Sequence, residues 1–179
     1  SKLPKTLAEA LRRYFGAEDE INKKRSEWAK RHLVVLAEGD KARPTLTIID
    51  RGEGQSPETL QDTIVHLSGS IKRGVNFVFG KYHQGGSAAI RFCGSKRKCY
   101  QLVLSRRAES VADKNKTNDW GFTLVRRNYK DRTAYYEYCT QQDESTFSFP
   151  YEGPIKVGDL EIDFVDGVLI RLYDYYLAN

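Results

Sequence analysis

Apolar residues recur at two spacings along this chain, and the change from one to the other divides it. Over residues 7–15, Leu7, Ala10, Leu11 and Tyr14 stand three or four apart, which gathers them on one face of a helix, and the charged stretch 18–31 predicts a second helix. From residue 33 the pattern turns to short apolar runs. Runs over 33–37 and 46–49, separated by the polar, glycine- and proline-bearing stretch 39–44, predict a hairpin in which Asp50 ends a central strand. Ser56, Pro57 and Glu58 then supply an N-cap hydroxyl, a first-turn proline and an early acid, and Leu60, Ile64 and Leu67 continue at helical spacing. Residues 69–86 are glycine-rich and without periodicity, as suits a loop that closes over a ligand. A helix over 87–92 is expected next, followed by strands over 100–105, 121–126, 134–139, 160–164 and 168–175, with 113–119 as an exposed loop. The expected fold class is α+β, a two-layer α/β sandwich with a mostly antiparallel sheet and helices on one face.

Composition narrows the class further. At 179 residues, 40% hydrophobic and 30% charged, the chain can bury one core and requires no second domain. No apolar run approaches the length of a membrane span and no signal-peptide pattern appears, so a soluble, cytoplasmic protein with no membrane partner is expected. Cys93, Cys99 and Cys139 are odd in number and lack paired ligand spacing, which predicts reduced thiols rather than a disulfide framework or a zinc site. The net charge of +5 and pI near 9.0 admit nucleic acid as an alternative partner, but the sign alone does not assign it. The basic clusters, Arg106-Arg107 and Arg126-Arg127 among them, read as solvated faces, and Tyr135, Tyr136 and Tyr138 as strand packing. The chain has no methionine, so Ser1 is not an encoded start and a fragment of a longer protein is expected.

Two glycine clusters carry the candidate chemistry. Asp50-Arg51-Gly52-Glu53-Gly54 follows the run 45–49, and Gly80 to Ser87 contains Lys81, Gly85 and Gly86. A carboxylate at the end of a buried strand can accept a hydrogen bond from an exocyclic amine, which recognises adenine without charge on the ligand. Glycines at 52 and 54 let the backbone turn sharply and approach a flat ring, having no Cβ. The second cluster, opening onto a helix-like segment, offers backbone N–H groups to phosphates. Base at one end and phosphates at the other describe a nucleotide.

In this order and spacing the two clusters resemble the Bergerat-fold ATP site of the GHKL superfamily, which includes gyrase, heat-shock chaperones, histidine kinases, MutL and microrchidia-type ATPases. The resemblance covers residues 33–92. Leu67-Ser68-Gly69-Ser70-Ile71-Lys72 resembles the Ser-Lys element before the lid of MutL-like members, and Phe79-Gly80-Lys81-Tyr82 resembles their lid glycine with its basic and aromatic neighbours. It implies that residues 32–179 form an ATP-binding domain behind a charged helical segment over 1–31. Asp50, Gly52 and Gly54 would hold the base, and Lys72, Gly80, Lys81, Gly85, Gly86 and Ser87 the phosphates. ATP with Mg2+ is the implied cofactor, and a second copy or neighbouring domains of a longer chain the implied partners, with nucleotide closing the lid.

Two departures accompany the likeness. Gly167-Val168-Leu169-Ile170 resembles the late Gly-Thr-x-Ile strand whose threonine hydrogen-bonds the adenine-recognising pair in the family, yet position 168 is valine and brings no hydroxyl. The family also carries a catalytic Glu four residues before a magnesium-binding Asn, for which this chain offers Glu18 as catalytic and Asn22 as metal candidate, in a highly charged helix. The expectation is that the hydrolytic helix lies upstream, so ATPase activity is left open. A degenerate interaction module without nucleotide, or a basic nucleic-acid-binding domain, is the alternative. A histidine-kinase-type phosphotransferase ranks lower, because His32, His66 and His83 do not sit on a dimerisation helix.

Overall fold

The computed structural model describes residues 5, 6, 8, 9, 12, 13, 32–63, 89–94 and 99–177. It begins with the expected hairpin, β1 (Leu33–Glu38) and β2 (Thr45–Asp50), followed by helix α1 (Pro57–Thr63) and a single 3-10 turn at Ile90–Phe92. Strands then dominate: β3 (Cys99–Arg106), β4 (Trp120–Lys130), β5 (Thr133–Tyr138), β6 (Phe147–Phe149), β7 (Ile155–Val157), β8 (Ile162–Phe164) and β9 (Gly167–Leu172). The main sheet runs β1-β2-β9-β3-β4-β5, with β6 on β4, and β7 and β8 form a separate hairpin. Every pairing is antiparallel.

The last strand lies in the middle of the sheet, between β2 and β3. A strand flanked on both sides and covered on both faces must be apolar on both, and Gly167-Val168-Leu169-Ile170 meets that demand. One core lies under α1 and the 3-10 turn, where Leu60, Ile90, Cys93, Cys99, Val103, Val125 and Leu172 meet. The other lies on the opposite face, where Val157 and Phe164 of the β7–β8 hairpin cover Ile49, Leu104, Trp120 and Leu169. Side chains alternate across a strand, so Leu104 and Leu169 serve the second core while Val103 and Leu172 serve the first.

The expected α/β sandwich, an α+β class with helices forming one whole layer, is therefore corrected. Among the described residues the helical elements with defined ends are α1, seven residues long, and a three-residue turn. The layer over the other sheet face is a β-hairpin, so this is a predominantly antiparallel β structure. The reason lies in segments too short for a periodicity to register. Ile155 with Val157 is a two-residue alternation, and β8, which falls within the strand expected over 160–164, makes the second layer by pairing with it.

Other boundaries shift for local reasons. Of the helix expected over 87–92, residues 87 and 88 lie outside the described residues, Ala89 is helical and Ile90–Phe92 form a 3-10 turn, which stops there because Cys93 is extended (φ −85, ψ 135) and forms a bridge with Tyr175. Leu160, expected to open a strand, is 77% exposed and precedes β8. β4 continues to Lys130, β9 stops at Leu172, and β6 and β7 were not expected. The helices expected over 7–15 and 18–31 fall almost wholly outside the described residues, although Ala8, Glu9, Arg12 and Arg13 are helical. The glycine-rich stretch 69–86 lies outside them too. No helix among the described residues is long and apolar enough to cross a membrane.

Candidate functional site

Sheet register places Asp50 in a cross-strand row, one strand in from the edge strand β1. Asp50 stands opposite Leu33 on β1 and Val168 on β9, Val168 stands opposite Ser105 on β3, and Ser105 opposite Gly121 on β4. Since Ile49 points into the core under β7–β8, Asp50 belongs to the face that carries α1. It is exposed, and among the described residues no hydrogen bond or ion pair occupies its carboxylate. Two acceptor oxygens are thus available to a donor at the end of a well-supported strand.

The three glycines around it do different work. A Cβ on Gly52 would lie 2.9 Å from Asp50 Oδ1, so glycine leaves the carboxylate its room. Gly54 has φ +63, and a Cβ there would lie 1.9 Å from the Arg106 carbonyl oxygen and 3.0 Å from that of Gly167. Gly167 has φ +100, and its Cβ would meet the Asp50 carbonyl oxygen at 2.1 Å. The end of β2, the end of β3 and the start of β9 therefore touch backbone to backbone, which a side chain at either position would forbid.

Polar groups lock this crossing. The buried Ser105 hydroxyl donates to the Gly167 carbonyl at 2.7 Å and accepts from the Gln55 amide at 2.8 Å. Arg107 donates from Nη1 to the Gly54 carbonyl at 3.0 Å and lies 3.8 Å from the Glu53 carboxylate, while the Ala108 amide donates to the Glu53 carbonyl at 2.9 Å. Arg106 is buried on the opposite face, where Nε donates to the Asn118 carbonyl, Nη1 to the Val165 carbonyl and Nη2 to Glu109, with its guanidinium 3.8 Å from the Tyr151 ring centroid. Arg51 ties the same turn to β8 through a 2.6 Å bond to the Asp163 carbonyl.

A hollow of about 380 Å³ opens beyond the glycine turn, with Gln55, Ser56, Thr59, Arg107, Lys116 and Asn118 in its walls. Glu58, at its edge, has its carboxyl held below the ordinary range, first by the Ser56 side chain. Asp50 does not line this hollow. No family model, curated protein or solved structure matches the chain. What the site can do rests on its own geometry.

Of the residues expected at a nucleotide site, Asp50, Gly52 and Gly54 are brought together, and Gly167 and Val168 join them through β9. Lys72, Gly80, Lys81, Gly85, Gly86 and Ser87 lie outside the described residues, as do Glu18 and Asn22. Among the described residues no cluster of His, Cys, Asp and Glu is placed to hold a metal ion. The hydroxyl that Val168 lacks has a neighbour in Ser105, but that oxygen already donates to Gly167 and accepts from Gln55.

Sequence reasoning missed Ser105 and misread the arginines. Arg106 and Arg127 are buried, on opposite faces of the sheet, and so are not part of solvated faces. The alternation of β3 held the signal: Leu104 and Arg106 share one face, so an arginine two residues beyond a core leucine must bury or leave the strand.

Proposed function

We propose that this chain is a nucleotide-binding module in which Asp50 accepts the exocyclic amine of an adenine, with ATP or ADP as ligand. The observation that carries this reading is an exposed strand-end carboxylate with no partner among the described residues, flanked by Gly52, whose missing Cβ keeps it open. A carboxylate hydrogen-bonded to a neutral amine discriminates by geometry, because an analogue lacking the donor leaves the acceptor unsatisfied. Asp50, Gly52 and Gly54 fit the base half of such a ligand. The phosphate half, and Mg2+ arriving with it, would fall to Lys72 and the glycines of 80–86. Coupling of nucleotide to contacts with a second copy or a neighbouring domain belongs to the same proposal, and hydrolysis would require a carboxylate such as Glu18.

A specific observation favours a second reading, an interaction module that has lost its nucleotide. Gly54 and Gly167 are explained by backbone packing alone, and position 168 supplies no hydroxyl while Ser105 is already committed. Calorimetric titration with ADP and Mg2+ separates the two. The nucleotide reading expects saturable heat that Asp50→Asn abolishes or weakens at least about tenfold, since the amide presents a donor on one side. Equal heats for both proteins, or none from a folded chain at millimolar ADP, would leave the interaction module.

A further inference from the structure

Among the described residues the sheet face under the β7–β8 hairpin is covered only in part. Val157, Phe164 and their neighbours pack over β2, β9 and the Trp120 end of β4. Toward the other end of β4 the same face bears Tyr100, Leu124, Arg126 and Glu137, which with Tyr138 and Cys139 wall an open cleft of about 600 Å³. Arg126 donates to the Glu137 carboxylate through Nε at 2.7 Å and also through Nη2. Glu137 is held below the ordinary carboxylate range, by Arg126 first, with the Asn128 and Tyr135 side chains also bonded to it, and Tyr100 bonds Arg126. Five polar side chains from three strands thus share one surface.

Beyond this cleft β4 and β5 run on as a hairpin arm. Among the described residues β3 pairs with β4 as far as Arg127, and β4 and β5 continue to Lys130 and Thr133. The arm carries Tyr129 and Tyr135, both exposed, and ends in Lys130, Asp131 and Arg132, also exposed. Arg127 lies 5.3 Å from the Tyr129 ring centroid. Two cations stand at the tip, and the exposed Tyr135 ring lies on the cleft's face of the arm, with Tyr129 and Arg127 on the other face.

We propose that this half of the sheet, open among the described residues, with the β4–β5 arm, is a binding face for single-stranded nucleic acid. An antiparallel sheet face bearing aromatics gives unpaired bases a surface to stack on, and every base has a π-face. Tyr135 and Tyr100 supply that surface. Lys130 and Arg132 meet phosphates, and the Arg126–Glu137 pair offers donors and an acceptor to base edges. The charge sign agrees with a polyanion, and the ring content distinguishes bases from an acidic peptide. This site lies on the face opposite Asp50 and is independent of it.

The test is fluorescence anisotropy of a labelled oligothymidylate of about twelve nucleotides, within the site size of a small sheet face, titrated with the whole chain at low salt. The expected result is saturable binding whose logarithm falls with log salt at a slope near −1.4, about −0.7 for each of two phosphate contacts. Tyr135→Ala, and Lys130→Glu with Arg132→Glu, should each weaken it at least about fivefold, the lower end of one stacked base. Asp50→Asn and the distant loop variant Lys114→Glu should leave it unchanged. Arg132→Gly is the control for folding, since it relieves the turn (φ 67 at Arg132) and should lower affinity in a protein no less stable. Failure to bind at low salt would overturn the assignment. So would binding indifferent to the arm variants, or competition by polyglutamate as effective as by unlabelled oligonucleotide, which would point to an acidic protein partner.

Discussion

Gly52 and Gly54 are two residues apart and look alike in the sequence, yet they answer to different demands. Gly54 sits at φ +63 with no space for a Cβ against two carbonyl oxygens, so its absence of side chain is a requirement of the fold. Gly52 is exposed, and an added Cβ would press only on the Asp50 carboxylate, so its role falls on whatever that carboxylate receives. Gly54→Ala should therefore cost more than about 3 kcal/mol, because strain at positive φ and a backbone clash add. That corresponds to a melting temperature lower by roughly 6–12 °C for a chain of this size. Gly52→Ala should stay within about 1 kcal/mol of the parent while weakening ADP binding, if Asp50 holds the base. Thermal denaturation and calorimetry on the two variants distinguish the glycine of the fold from the glycine of the site. The motif was legible in the sequence, but this division of labour was not, because φ and the approach of β3 and β9 are set by the sheet.

At the scale of the element, the β4–β5 hairpin shows how a strand pattern can be visible while its turn is not. Alternation over 121–126 and 134–139 marked the two strands, but Asp131-Arg132 is not one of the glycine-bearing pairs that announce a two-residue turn. Lys130 nonetheless pairs with Thr133, and Asp131 and Arg132 take φ 50 and 67, the left-handed region that such a turn demands. A long side chain at positive φ is held there by the pairing on either side. Replacing Asp131-Arg132 by Asn-Gly should raise stability by about 1 kcal/mol, measured as a higher urea midpoint with unchanged slope. A lower midpoint would mean that Asp131 or Arg132 makes a stabilising contact that outweighs the backbone gain.

Across the whole molecule, the cysteines report how the two faces are covered. Cys93 and Cys99 are buried in the core beneath α1, whereas Cys139 is exposed at the end of β5. The Cys93 thiol is pushed up to about 12, by burial first and by the neighbouring Cys99 next. A thiol is reactive only as thiolate, so near pH 8 the folded protein should titrate a single cysteine with a disulfide reagent and all three after denaturation. The same shift sets an alkaline limit. Below pH 9 the thiol is protonated in both states. Between the ordinary value of 9.0 and about 12 the unfolded chain releases a proton that the folded chain retains, so stability falls as pH rises through that window. Tyr138, raised by burial, acts with the same sign above 10.0. Urea unfolding near pH 8 and again above pH 10 checks the direction, and a rise in stability would contradict it.

The sequence by itself determined the β1–β2 hairpin, the start of α1 and the positions of most sheet strands, because local alternation and capping chemistry act over a few residues. It also determined that Asp50 ends a strand beside two glycines. Only the tertiary structure decided that β9 inserts between β2 and β3, which is what brings Gly167, Val168 and Ser105 to Asp50 from more than fifty residues away in the chain. It alone decided that the second layer is a β-hairpin, since the two-residue alternation at Ile155–Val157 carries no period and the strand expected over 160–164 gains its partner and its burial only once the sheet exists. The buried arginines belong to the same class. The alternation of β3 puts Arg106 on the face of Leu104, but the groups that satisfy it there, the Asn118 and Val165 carbonyls and the Tyr151 ring, are brought to it only by the fold.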